Sequence, residues 1–218
     1  FGVADVAPQV DYAAVMEHVA GVIRRIAPVD SQERFEGLGV RVIRAHGRFI
    51  SRTEVEAGGH VITARRVVIA TGSEPLVPPI PGLENVNYLT NETLWSLREQ
   101  PRHLLIIGGG PIGIEMAQAH RRLGSRVTVI EGARALGKDD PEMAAVVLEA
   151  LRVEGVEIVE NAQVERVAAS GNGIDVSAAG QTYSGTHLLV AVGRRAVTEG
   201  LGLEAAGIET TKAGIRVD

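Results

Sequence analysis

Cysteine is absent from all 218 residues. That excludes disulfide staples, thiolate metal sites and any thiol redox chemistry carried by these residues. No apolar run approaches the roughly 20 residues needed to span a bilayer. Neither sign of charge dominates: 22 basic residues are interleaved with 27 acidic ones, for a net charge of −5. Nothing in that balance points to a nucleic-acid partner or an anionic membrane surface. No secretory signal is visible, and the chain opens on Phe1 rather than methionine, so a cytoplasmic piece of a longer protein is expected. Aromatic residues make up only 3 % of the sequence while Gly, Val and Ile abound, the balance of an α/β protein with buried parallel strands. His18 and His46 stand alone without ligand-like neighbours, and no metal site is expected.

What is present centres on His103–Glu131, HLLIIGGGPIGIEMAQAHRRLGSRVTVIE. It reads as strand, glycine turn, helix and strand, closed by an acid. Gly108, Gly110 and Gly113 fit G-x-G-x-x-G directly after the apolar run Leu104–Ile107. Gly108 permits the tight turn, Gly110 lets a pyrophosphate approach the backbone, and Gly113 lets helix and strand pack closely. The helix that follows aims free N–H groups and its positive dipole end at the phosphates. Glu131 ends the strand Arg126–Ile130, where a carboxylate accepts hydrogen bonds from an adenosine ribose. The strand, helix, second strand and acid all fall where dinucleotide binding needs them.

Upstream, Asp11 caps a helix expected over Tyr12–Ile26, whose Val15, Val19, Val22, Ile23 and Ile26 form a core-facing stripe. Asp30 and Glu33 form a capping-box pattern for a short turn that Gly37 ends. A strand is expected from Val40 through Ile43 towards Phe49, then a hairpin turning at Gly58-Gly59 between Val55 and Val61. Val67–Ile69 reads as a buried strand running into the small-residue turn Ala70–Ser73. Four prolines at 75, 78, 79 and 81 stiffen a linker, and a short helix capped by Thr90 or Asn91 follows. Downstream, Asp140-Pro141 opens a helix carrying Met143, Val147, Ala150 and Leu151 on a core-facing side, with Gly155 past its end. Val156–Val159 is a third parallel strand. Val164–Ala168, Ile174–Val176 and a strand near Tyr183 form an antiparallel meander with a turn at 171–173, before the last buried strand, Leu188–Val192.

These segments resemble a family. VVIATGSEPLVPPIPG (67–82), LLIIGGGPIGIE (104–115), VTVIE (127–131), LLVAVGRR (188–195) and TEGLGLEAAGIE (198–209) follow the order found in the pyridine nucleotide–disulfide oxidoreductases, which include dihydrolipoamide dehydrogenase, glutathione reductase and mercuric reductase. The first hundred residues most resemble the dihydrolipoamide-dehydrogenase-like and mercuric-reductase-like branches. The family resemblance implies a Rossmann-like FAD/NAD(P)-binding α/β fold, a parallel sheet with crossover helices plus an antiparallel β-meander. Residues 1–98 would be the second part of an incomplete FAD-binding domain, and 99–218 an NAD(P)-binding domain. The family's flavin glycine turn, Cys-x4-Cys pair and dimerisation domain have no counterpart in this sequence, so the chain is expected to be an internal fragment of a homodimeric parent.

Residue by residue, the resemblance implies that Gly108, Gly109, Gly110, Pro111, Ile112, Gly113, Ile114 and Glu115 wrap the NAD pyrophosphate. Glu131 would bind the ribose, Val164 would line the adenine side, and Gly193 would lie near the nicotinamide. Gly47 and Thr71, Gly72 and Ser73 would contact FAD in the intact parent. Glu115 resembles a glutamate that supports the flavin through a lysine not found in this chain; the other reading is an ordinary helix glutamate. After Arg195 this chain has Ala196-Val197 where many relatives have Pro-Asn. Electrostatics favours NAD over NADP, because Glu131 repels a 2′-phosphate yet hydrogen-bonds a free 2′-OH, with Arg134 the group that would rescue NADP. The expected parent passes a hydride between nicotinamide and FAD, and the fragment itself is expected to lack turnover. The alternatives are a plain dinucleotide-binding module and a flavin-independent NAD dehydrogenase. The last is disfavoured because His103 precedes the strand and His120 is expected on the helix surface, away from the ligand-binding edge.

Overall fold

A computed structural model describes residues 9–171 and 173–217. Packing divides them into two compact units: the chain up to Val22 with Pro75–Gly193, and Ile23–Glu74 with the chain from Arg194 onward. Both units are discontinuous in sequence. The expected boundary near residue 98 concerns which cofactor each part binds, a different property from packing.

Helix α1 spans Tyr12–Ile26, and Asp11 caps it by accepting the Ala14 N–H at 3.0 Å. The expected core stripe is a correction. The buried residues are Tyr12 and Met16, one turn apart, whereas Ile23 and Ile26 are 51 % and 55 % exposed. The helix is seated by its first turns, where the Tyr12 hydroxyl finds a buried partner, and not by the valine–isoleucine row. Helix α2 (Gln32–Gly37) is capped by the Ser31 hydroxyl, which accepts the Arg34 N–H at 3.2 Å; Asp30 instead ends a 3-10 turn. The left-handed turn after α2 falls at Gly39 (φ 88°) rather than Gly37.

Strands β1 (Gly47–Phe49), β2 (Glu54–Ala57) and β3 (His60–Thr63) form an antiparallel sheet. Gly58 and Gly59, at φ 55° and 77°, make the expected two-residue hairpin, a turn that needs positive φ at both positions. Of the strand expected from Val40 towards Phe49 only the end forms, as β1, and the strand expected at 67–69 does not form. Residues 40–43 and 67–69 join no strand ladder among the described residues, and Val68 is 88 % exposed. Apolar, β-branched composition favours a strand only where a neighbour offers a ladder and a face to cover it. Beyond 67–69 comes β4 (Ser73–Pro75).

The first unit is built on β5 (His103–Ile107), α3 (Pro111–Arg122), β6 (Arg126–Ile130), α4 (Pro141–Val153) and β7 (Glu157–Val159). The antiparallel meander β8 (Val164–Ser170), β9 (Gly173–Ala178) and β10 (Gln181–Gly185) follows, then β11 (His187–Val190). The turn expected at 171–173 includes Asn172, which lies outside the described residues. The parallel sheet has the order β11-β5-β6-β7. Its strands are continuous apolar runs because both faces are covered. Leu104, Ile106, Val127, Val129 and Leu189 pack on the helix side with Ala117, Leu148 and Leu151. Leu105, Ile107, Leu188 and Val190 pack on the other side with the meander residues Val167, Ile174 and Val176.

Asp140 caps α4 as expected, its Oδ1 accepting the Glu142 and Met143 N–H groups at 3.0 and 3.2 Å, with Pro141 at the first helical position. The buried face is Ala144, Leu148 and Leu151, one residue round from the expected one; Met143 is 61 % exposed and is not core filler. The helix is apolar on several sides, so helical spacing alone fits both faces. Gly155 ends it at φ 89°. The short helix expected after Thr90 is a single 3-10 turn, Leu94–Ser96.

In the second unit, β12 (Arg194–Ala196) pairs with β4, and β13 (Thr210–Thr211) pairs with β14 (Gly214–Ile215). Its small core holds Phe49, Leu201, Leu203 and Ala206, with Val55 and Ile69 against them.

Candidate functional site

At the C-terminal ends of β5, β6 and β11 the first unit opens into a cleft of about 840 Å³. This is the edge of a parallel sheet where nucleotides bind, and the volume lies within the range of small-molecule sites. Its floor is the glycine turn. Gly108 takes φ 110°, and a Cβ there would lie 2.4 Å from the Ala191 carbonyl oxygen. A Cβ on Gly113 would meet the Gly108 carbonyl oxygen at 2.1 Å, so only glycine lets α3 dock this closely on β5. Gly110 differs from both: nothing lies within 4 Å of its missing Cβ, and the side it leaves open faces solvent.

Gly110 is the N-cap of α3, and no side chain caps that end. The first helical bond runs from the Ile114 N–H to the Gly110 carbonyl at 3.0 Å. Pro111 has no N–H, which leaves Ile112 and Gly113 with donors that no helical carbonyl can reach. A twelve-residue helix ending this way at a cleft presents a partial positive charge to whatever enters.

Glu131 follows β6 and is half-buried on the cleft wall. One carboxylate oxygen accepts the Gly109 N–H at 2.7 Å and the other accepts the Ala133 N–H at 2.8 Å. The acid is thereby fixed against the glycine turn, with lone pairs still available for a hydroxyl. Gly109 is held from the opposite side too, since its carbonyl accepts the Leu136 N–H at 2.8 Å.

The structure gathers Gly108, Gly109, Gly110, Pro111, Ile112, Glu131, Val164 and Gly193 on one cleft. Gly113 and Ile114 are buried beneath it. Glu115 is exposed and does not line it. Gly47 and Thr71, Gly72 and Ser73 belong to the second unit. There the Thr71 hydroxyl donates to the Val197 carbonyl at 2.6 Å, and the Ser73 hydroxyl accepts from Arg194 Nε at 2.8 Å. Both hydroxyls are hydrogen-bonded within the chain. Sequence reasoning missed Gln163, Lys138 and Asp139, all on the cleft. For Lys138 and Asp139 a signal was available, since both are charged and lie between Glu131 and the helix cap Asp140; Gln163, uncharged and beyond β7, carries none.

His120 is a further correction. It is 5 % exposed, buried between α3 and α1 and not on the helix surface. Its Nδ1 lies 2.9 Å from the Met116 carbonyl, which can only accept, so Nδ1 carries the proton and Nε2 accepts the Tyr12 O–H at 3.2 Å. Burial holds its pKa below the ordinary value and pushes that of Tyr12 up. Neither group is on the cleft.

A family model for the pyridine nucleotide-disulphide oxidoreductases matches residues 9–218. The chain belongs to this family. A mercuric reductase of Streptomyces lividans is 42 % identical over 163 residues, covering 73 % of this chain and 34 % of that protein. A dihydrolipoyl dehydrogenase of Geobacillus stearothermophilus is 32 % identical over 216 residues, 94 % of this chain and 45 % of the relative. Among solved structures, the HOCl-induced flavoprotein disulfide reductase RclA from Escherichia coli matches with a TM-score of 0.85 at 31 % identity, over 96 % of this chain and 49 % of that one. The chain therefore spans between about a third and a half of the length of these relatives. The family is one of FAD-dependent oxidoreductases that use NAD(P)H. No helix among the described residues is long and apolar enough to cross a membrane.

Proposed function

We propose that the cleft binds NAD(H), and that in the intact protein it presents the nicotinamide to a flavin for hydride transfer. The observation that carries this reading is the conjunction at one point of an open Gly110, an uncapped α3 N-terminus and the Glu131 carboxylate. The first two suit a diphosphate and the third a ribose diol. NAD is favoured over NADP because a carboxylate held by two backbone N–H groups cannot swing away from a 2′-phosphate without giving up both bonds. On this reading Val164 covers the adenine side and Gly193 the nicotinamide side of the cleft.

When bound, FAD supplies the chemistry of hydride acceptance. This chain's own residues bind and orient the nucleotide, and we assign the isolated chain binding without turnover. Glu115, exposed beyond the first turn of α3, is a flavin-side support only in the context of the homodimeric parent.

The test is a fluorescence titration of the chain with NADH and NADPH. NADH should bind tighter, and Glu131→Ala should narrow the gap towards parity. Tighter NADPH binding by the wild-type chain would contradict the assignment. A yellow protein that oxidises NADH would contradict the absence of turnover.

A further inference from the structure

The loop between β6 and α4 is held at more points than a connection needs. The Leu136 N–H is bonded to the Gly109 carbonyl, and the Ala135 N–H donates to a Glu160 carboxylate oxygen at 2.9 Å. The Ala133 carbonyl accepts the Asn161 N–H at 2.8 Å. Leu136 is buried and sits at φ 50°, a left-handed conformation that non-glycine residues rarely adopt. A strained, pinned loop over a cleft keeps one shape, so the side chains it carries are delivered to fixed places.

Two of those side chains are cations, Arg134 and Lys138, both exposed and both on the cleft wall. Among the described residues neither is in an ion pair, whereas Arg122, Arg126 and Arg152 of the same unit pair with Glu154, Glu157 and Glu160. The charged groups lining the cleft are Glu131, Arg134, Lys138 and Asp139, two of each sign. Removing Lys138 leaves an excess of negative charge facing any anion that enters.

The cations differ in their place on the loop. Arg134 follows Glu131, the proposed ribose acid, by three residues in sequence. Lys138 comes after Leu136, whose main chain is tied to the glycine turn itself. The turn and the α3 terminus together offer a partial charge of about half a unit, which does not neutralise a dianion. We propose that Lys138 supplies the missing charge and clamps the diphosphate of the bound dinucleotide, a role that rests on the NAD(H) reading above. A diphosphate contact is common to NADH, NADPH and ADP. It must therefore act on all three alike and leave the choice between NADH and NADPH untouched.

The experiment is calorimetric titration of the 218-residue chain and its Lys138→Gln and Lys138→Arg variants with NADH, NADPH and ADP across a range of salt. Lys138→Gln should weaken all three by a similar factor, about five- to tenfold at low salt, and flatten the salt dependence, with Lys138→Arg recovering most of the loss. An unchanged NADH affinity would overturn the assignment. So would a loss confined to NADPH, which would place Lys138 on the 2′-phosphate. A wild-type chain that binds none of the three would refute the dinucleotide reading itself, whereas wild-type binding that survives Lys138→Gln refutes only the clamp. Lys138 is exposed, and matching thermal unfolding curves confirm that the variants are folded.

Discussion

His120 shows what a single residue can hide. From the sequence it is expected on the surface of α3. It is buried because Tyr12, over a hundred positions earlier, brings a hydroxyl to its ring, a pairing without local signature. Its folded pKa is lowered first by burial, as are those of His103 and His187. In each case the unfolded chain binds the proton more readily. The stability these neutral rings contribute is complete above the ordinary value near 6.5 and is lost as pH falls through that value towards the lower folded one. Each such group adds a slope of at most about 1.4 kcal/mol per pH unit. Urea unfolding between pH 7 and 5 should show stability falling on acidification, with a shallower fall in His120→Gln. An identical slope in that variant would mean His120 is not held neutral by burial. Glu131 and the glycines, by contrast, belong to a motif whose spacing is read directly from the chain, and the structure brings Gly108, Gly109, Gly110 and Glu131 onto one cleft.

The elements divide by where their partners lie. The strand–turn–helix–strand unit, the β2–β3 hairpin, the Asp140 cap and the meander follow from sequence because each is specified locally by glycine placement, capping groups or alternation. The core faces of α1 and α4 were misread, and the strands at 40–43 and 67–69 do not form, because those depend on which neighbours cover them. The docking of α3 on β5 separates fold from function within one motif. Gly113→Ala forces a methyl group against the Gly108 carbonyl and should cost about 2–3 kcal/mol in urea unfolding. Gly110→Ala meets nothing and should change stability by less than about 1 kcal/mol. The same methyl group would stand on the open side of the turn, so this variant should lose NADH affinity while remaining folded. Equal effects of the two substitutions on unfolding would mean the turn is not packed as described.

At the scale of the whole molecule, the sequence order of the family's segments identified the fold class, and both packing units interleave along that order. The exposed Val67, Val68, Ile23 and Ile26 in the second unit contrast with the closed, two-sided core of the first. The first unit is where the chain has a complete candidate site, and the central claim is that an NAD(H) molecule lies there with its diphosphate on the glycine turn. Amide hydrogen exchange of the intact chain with and without NADH tests both the binding and its place. Protection should rise at Gly109–Gly113 and along residues 131–139, with the second unit changing little. Protection confined to residues 47–73, or no change anywhere at saturating NADH, would contradict it.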